Sequence, residues 1–249
     1  GVRGARSGRW SGNPARHVTD IGPVSASEAQ AEIEDHMDGM RRAGRPIWSL
    51  EPGETCRHGH FVAPTLIGIG RVADISNEVF GPVLHIRRYG RSELDGGIDA
   101  VNATGYGLAF GIQSRLSSTI DRAVARSTAG NIYVNRGLLG AVAGSRPVGG
   151  HGLSGTGPKM GGPFALRRMS AQVNPWHVPK GATTASMIPH AARSLVTFLE
   201  SRDAVSARRI RQDISHGMVG LTMTLPAPSG ETETYRLVPG GPVLCAGDS

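Results

Sequence analysis

Residues 130–168 read GNIYVNRGLLGAVAGSRPVGGHGLSGTGPKMGGPFALRR, and the fold turns on how that run is taken. Its first part, Asn131 to Asn135, carries the β-branched and aromatic residues that suit a pleated surface, so a strand is expected there. A loop follows, with eight glycines between Gly144 and Gly162. Such density implies backbone at positive φ, or backbone that lies close to a ligand or another chain. A flexible linker is the plain alternative. Linkers, however, are Ser/Gly-repetitive, and here Arg146, Pro147, His151, Leu153, Lys159 and Phe164 interrupt the glycines. The loop is read as ordered.

Upstream, strand and helix alternate. Ser25 with Glu28 three residues on spells a capping box. Ile33, Met37 and Met40 then recur at helical spacing, and Gly44 and Pro46 close the helix. His36 lies beside that apolar stripe and is read as a structural, half-buried histidine. A short strand is expected after Pro46, a buried strand from Phe61 towards Gly70, and another over Val83 to Tyr89. A helix over about Glu93 to Asn102, a strand over Leu108 to Ser114 and a helix over Ser118 to Ser127 complete the series. Alternation with short connections favours a parallel α/β layer. Two nominal dinucleotide fingerprints, Gly68-x-Gly70-x-x-Ala73 and Gly150-x-Gly152-x-x-Gly155, are set aside, because neither opens a helix of useful length. After Arg168 the pattern weakens. Asn174 to Pro179 reads as irregular and residues 186–213 as helical with an arginine-rich face. Two strands, Leu221 to Leu225 and Glu233 to Cys245, are expected on either side of a turn at Pro226 to Gly230. The segments expected are therefore a poorly ordered basic stretch over 1–16, a main α/β portion over 17–170, and a less regular α+β extension over 171–249.

At 249 residues the chain can bury a real core. Its net charge of +7 raises the question of nucleic acid. The charge is almost all arginine, gathered at the two ends, with no aromatic residues interleaved as a stacking platform, so nucleic-acid binding is not expected. No run is long and apolar enough to span a bilayer. With only Cys56 and Cys245, a disulfide framework is not expected and a reducing cytoplasm is the default. Cys56, His58 and His60 alternate in a way that invites a metal, but no partner cluster converges on them in the sequence, and no metal is assigned.

Residues 134–163, VNRGLLGAVAGSRPVGGHGLSGTGPKMGGP, resemble the carboxy-terminal signature of aldehyde dehydrogenases. Within that superfamily they are most similar to the glutamate semialdehyde (pyrroline-5-carboxylate) dehydrogenases, particularly the dehydrogenase half of bifunctional proline utilization A proteins. FVAPTLI (Phe61 to Ile67) with VADISNEVFGPVL (Val72 to Leu84), and NATGYGLAFGIQS (Asn102 to Ser114), stand in that family's order. With TDIGPV at Thr19 to Val24 the resemblance covers about residues 15 to 170. It implies part of the aldehyde dehydrogenase catalytic-domain fold, a parallel sheet with flanking helices. It also implies NAD as cofactor, a small aldehyde as substrate, and oxidation of L-glutamate γ-semialdehyde to glutamate in proline catabolism.

By that resemblance Glu78 accepts hydrogen bonds from the hydroxyls of the nicotinamide ribose and Phe80 packs close to the same ribose. A carboxylate is acceptor-only and can take both hydroxyls of a cis-diol. Gly140 and Ala141 fall in the loop whose backbone N–H groups grip the substrate's carboxylate. Val148 stands where the family usually has phenylalanine, which shortens one apolar wall of the substrate pocket. The resemblance places the nucleophilic cysteine, the general-base glutamate and the Rossmann half upstream of the TDIGPV element. No Gly-Gln-x-Cys run occurs in the chain. No catalytic residue is therefore assigned here, and the chain alone is expected to be inactive. The partners implied are the missing amino-terminal dehydrogenase portion and a proline dehydrogenase domain, with a homo-oligomer left open. The competing reading is a non-catalytic remnant of this fold that serves as a binding or oligomerisation module.

Overall fold

The computed structural model describes residues 8–155, 157–170, 182–184 and 190–239. The chain divides into two units, residues 1–105 with 118–127, and residues 106–117 with 128–249.

In the first unit, helix α1 (Ser27–Arg42) follows from its apolar stripe: Ile33, Met37 and Met40 are its buried residues. They pack with Val62 and Ile67, and Val24, Ile47, Ile69, Val79 and Val83 close around them. The helix stops as the sequence indicates. Gly44 takes φ +68°, Gly44 N–H donates to the Arg41 carbonyl at 2.9 Å, and Arg45 N–H donates to that of Met40 at 3.0 Å. That pair of bonds satisfies carbonyls the last turn would leave orphaned. The start differs from expectation. Ala26 is the N-cap and no side chain caps the helix. Ser27 Oγ donates to the Glu28 carboxylate at 3.1 Å, and Ser25 lies one residue upstream of the N-cap.

Strand β1 (Ile47–Ser49) runs antiparallel to β2 (Thr65–Gly68), and β2 runs parallel to β3 (Val83–Ile86). Strand β2 is buried on both faces, and its one polar side chain is satisfied there. Thr65 Oγ1 donates to the Ala63 carbonyl at 2.8 Å and meets Ser49 Oγ at 2.8 Å. The segment after Gly68 forms only a single 3-10 turn, Val72–Asp74, so the first nominal fingerprint opens no cofactor helix. Asp74 ties this turn down, taking Gly70 N–H at 3.0 Å and Arg45 at 2.7 Å. Helices α2 (Leu94–Asn102) and α3 (Ser117–Arg126) are joined by Arg122–Asp95 at 2.6 Å and Arg126–Asp99 at 2.5 Å. Residues 8–16, which composition marks as poorly ordered, are hydrogen-bonded. Trp10 carbonyl accepts from Asp20 and Ile21 N–H at 2.9 and 3.1 Å, and Arg9 pairs with Asp20 at 2.9 Å.

In the second unit, β4 (Tyr106–Gly107) pairs antiparallel with β7 (His151–Gly152), while β5 (Ala109–Ile112) and β6 (Asn131–Val134) are parallel. Parallel neighbours need a crossover, and the chain supplies it through α3. A short helix α4 (Ala165–Arg168) follows the glycine loop. Strand β8 (Thr183–Thr184), β9 (Leu221–Leu225) and β10 (Glu233–Arg236) make an antiparallel sheet in the order β10-β9-β8. Its buried Leu221, Met223 and Tyr235 pack on Phe164, so the carboxy-terminal hairpin shares a core with the end of the glycine loop.

Where one helix was expected over 186–213 there are two, α5 (His190–Glu200) and α6 (Ala204–His216). Asp203 divides them by accepting from Val205 and Ser206 N–H at 3.1 and 3.0 Å, the N-cap role that draws Asp out of helix interiors. The expectations for Asn174 to Pro179, for the strand beyond residue 239 and for Cys245 lie outside the described residues.

The architecture is mixed α/β. The two parallel pairs agree with the sequence reading, while β1, the β4–β7 pair and the carboxy-terminal sheet are antiparallel.

Candidate functional site

Glu78 and Phe80 sit in the connection between the Val72–Asp74 turn and β3. Burial alternates along it. Val79 joins the α1 core, and a Cβ on Gly81 would stand 2.4 Å from Ile33 Cδ1, so this backbone lies directly on the helix. Any larger residue there would have to push the Ile33 tip aside. The flanking Glu78 and Phe80 are consequently turned to solvent, with Phe80 86% exposed. The ring is left free to meet a ligand or another part of the protein.

Gly140, Ala141 and Val148 belong to the second unit. The strand before them ends in a fixed geometry. Asn135, at φ +54°, accepts from Ser114 N–H at 2.8 Å and donates to the Ser114 carbonyl at 2.9 Å. Beyond it, Leu138 packs where a side chain on Gly111 would otherwise sit. The chain turns at Gly140, φ +107°. It is closed by bonds between Val142 and Arg146, from Gly144 N–H to the Gly161 carbonyl at 2.8 Å, and between Val148 and Met160 at 3.1 and 2.8 Å. Gly140 and Ala141 are exposed, and neither N–H finds a carbonyl or side-chain acceptor among the described residues. Two adjacent unengaged backbone donors next to a glycine at positive φ can take an anion.

Asn131, buried at the start of β6, holds the far side of the loop. Its Nδ2 donates to the Pro147 carbonyl at 2.8 Å and its Oδ1 accepts from Gly149 N–H at 3.1 Å. Both ends of the amide are thus used where an unpaired polar group would be costly. Lys159 donates its ammonium to the Gly130 carbonyl and lies over the Tyr235 ring at 5.7 Å. Burial pushes this lysine below its ordinary pKa. Burial also raises the Tyr235 phenol, opposed by a hydrogen bond with the Lys159 backbone.

Sequence reasoning missed a cluster beside this loop, formed by Arg136, Arg146, Glu231 and Glu233. The alternation of Glu231 and Glu233 at the head of a strand was its only trace. Cys56 is buried, with its thiol donating to the Ser11 carbonyl at 3.4 Å, an inert setting. No group of three or more metal-ligating side chains converges among the described residues. No helix among them is long and apolar enough to cross a membrane.

The sequence profile of the aldehyde dehydrogenase family matches residues 6–173. The chain belongs to the aldehyde dehydrogenase family. Among aldehyde dehydrogenase relatives, it is 40% identical over 263 residues to bifunctional protein PutA of Escherichia coli K12, covering 99% of this chain and 20% of that protein. It is 33% identical to 1-pyrroline-5-carboxylate dehydrogenase of Geobacillus kaustophilus, covering 65% of this chain and 31% of that one. A solved point variant of proline utilization A from Bradyrhizobium japonicum superposes with a TM-score of 0.62 at 40% identity, over 66% of this chain and 17% of that one. A variant of Thermus thermophilus 1-pyrroline-5-carboxylate dehydrogenase gives 0.58 at 31% identity, over 67% and 32%. The chain thus spans about a fifth of the length of the PutA relatives it matches.

Proposed function

We propose that this chain is the carboxy-terminal part of an NAD-dependent aldehyde dehydrogenase that oxidises L-glutamate γ-semialdehyde to glutamate in proline catabolism. The carrying observation is the Gly140–Ala141 backbone, whose two exposed N–H groups have no acceptor among the described residues. A substrate with a carboxylate remote from its aldehyde needs such a grip, and a simple alkyl aldehyde does not. The names of the relatives, bifunctional PutA and 1-pyrroline-5-carboxylate dehydrogenase, point to the same chemistry.

The cofactor half of the proposal rests on Glu78 and Phe80. An acceptor-only carboxylate beside an outward aromatic ring fits a ribose, with the diol on the carboxylate and the apolar sugar face on the ring. NAD, when bound, supplies the hydride acceptor. Glu78 holds the nicotinamide ribose, and Gly140 and Ala141 hold the substrate's carboxylate. Val148 lines an apolar wall of the substrate pocket with a smaller side chain than the phenylalanine usual in the family. The nucleophilic thiolate and the remaining cofactor half come from the rest of the enzyme, so this segment by itself is inactive. A proline dehydrogenase domain, where the complete protein carries one, supplies the substrate. The assembly belongs to the cytoplasm.

The test is Glu78→Gln in the complete enzyme. Losing one charge-assisted contact to the diol should raise the KM for NAD about tenfold while the KM for the aldehyde stays put. An unchanged KM for NAD would sink the assignment of Glu78.

A further inference from the structure

Two arginines bracket the loop that carries Gly140 and Ala141, and one hairpin holds both. Arg136 Nη1 lies 2.6 Å from Glu231 Oε2 and 3.2 Å from Glu233 Oε1. Arg146 donates through Nε to Glu233 Oε1 at 3.1 Å, and its Nη2 lies 3.4 Å from Glu231 Oε2. Each guanidinium therefore touches both carboxylates, and each carboxylate both guanidiniums. The four side chains are only 15–36% exposed, which separates this network from a solvated surface pair of negligible worth.

The loop passes close to both arginines. A Cβ on Gly140 would stand 3.2 Å from Arg146 Nη1 and 4.0 Å from Arg136 Nη2. The acids, in turn, do not float. Glu233 opens β10, paired in register with Leu225 of β9, and two residues on the buried Tyr235 packs on Phe164. Glu231 closes the turn before β10, its N–H donating to the Pro228 carbonyl at 3.1 Å, and Glu233 opens the strand, so both acids are held at the base of the hairpin turn. Rigidity thus passes from the hairpin core through the acids and the arginines to the turn at Gly140.

We propose that Glu231 and Glu233 are positioning residues for the substrate's carboxylate: through Arg136 and Arg146 they fix the turn whose N–H groups grip it. They also balance the charge of the two guanidiniums, so that the substrate's carboxylate pairs with the Gly140 and Ala141 donors rather than with an uncompensated arginine beside them. This rests on the anchor-loop reading of Gly140 and Ala141 given above. It adds to that reading that a hairpin more than ninety residues away in sequence sets the loop's selectivity for anionic aldehydes.

The experiment is a double-mutant cycle in the complete enzyme with Glu233→Gln, Arg146→Gln and the pair. Three readouts are taken: kcat and KM for glutamate semialdehyde, the same for neutral propanal, and amide exchange over residues 138–148. Each single variant should raise the KM for the semialdehyde about fivefold, the loss of one charge-assisted contact. The double should be no worse than either single. The kcat, the KM for NAD and both constants for propanal should hold, and the exchange at Gly140 and Ala141 should quicken. Unmoved KM values with an active wild type overturn the inference alone, whether or not exchange quickens. A parallel fall for both aldehydes also overturns it, since that marks plain loss of structure. A wild-type enzyme that does not oxidise the semialdehyde overturns the reading beneath it, and the inference with it.

Discussion

His36 on α1 and His85 on β3 face one another Nε2 to Nε2 at 2.8 Å, with their rings edge to face. That distance requires one proton between two nitrogens; a second proton would set two N–H groups against each other. Burial holds both pKa values below the ordinary 6.5, and the His36 charge depresses His85 further. Because the unfolded chain protonates first, the pair's contribution is whole above about pH 6.5 and is lost as pH falls through the depressed folded values. The first unit should therefore weaken between pH 7 and pH 5. His36→Gln, which still donates to His85 but carries no charge, should flatten that slope. Urea midpoints at the two pH values decide it, and equal slopes in the two proteins would dismiss the pair as the cause. The sequence reading of His36 as structural and half-buried agrees with this geometry. Its partner, 49 residues away, could not be read. Periodicity reports which side of a helix is apolar, and it is silent on what that side meets.

Helix α1 shows what a sequence transmits at the scale of an element. Its stripe and stop were readable because both are local: three apolar residues at helical spacing and a glycine where φ must be positive. The start was not, because Ser25 and Ser27 compete for Glu28 and only geometry decides which serine takes it. The split between α5 and α6 escaped for the same reason, since Asp203 is a charge on a helix face until its side chain turns back to cap. The stop allows a quantitative test. At Gly44 a Cβ would meet nothing within 4 Å, so Gly44→Ala should cost only the left-handed strain, about 1 kcal/mol. At Gly150 no positive φ is involved, yet a Cβ would stand 2.2 Å from the Ser154 carbonyl oxygen, so Gly150→Ala must displace backbone. Denaturant midpoints should rank Gly150→Ala well below Gly44→Ala. The reverse order would show that conformational strain, not close approach, governs the glycine loop. In that loop the dense glycines were readable as ordered backbone. Their partners were not, and the Arg136–Glu231 contact joins segments that composition gave no cause to connect.

For the whole molecule the question is what covers the apolar side chains left outside. Phe80, Leu139, Leu153, Leu166 and Val205 are all largely exposed, and the first two belong to the segments proposed to hold cofactor and substrate. Burying a side chain of this size is worth about 1.5–3 kcal/mol, so covering all five is worth about 7–15 kcal/mol. Association costs on the order of 4–15 kcal/mol in lost freedom, which nearly cancels it. The net charge of +7 opposes self-association further. Produced alone, the chain should therefore associate weakly and bind an apolar dye. Raising salt should strengthen association, because it screens the repulsion and leaves the apolar term intact. In the complete enzyme, where the remaining four-fifths of a PutA-like protein would cover part of this surface, both the dye binding and the salt-promoted association should fall. Light scattering against salt on the two proteins separates the cases. A chain that stays monomeric and dye-silent at every salt concentration would mean that its exposed apolar groups are ordinary scattered surface residues, and would favour a self-sufficient binding module over a segment of a larger dehydrogenase.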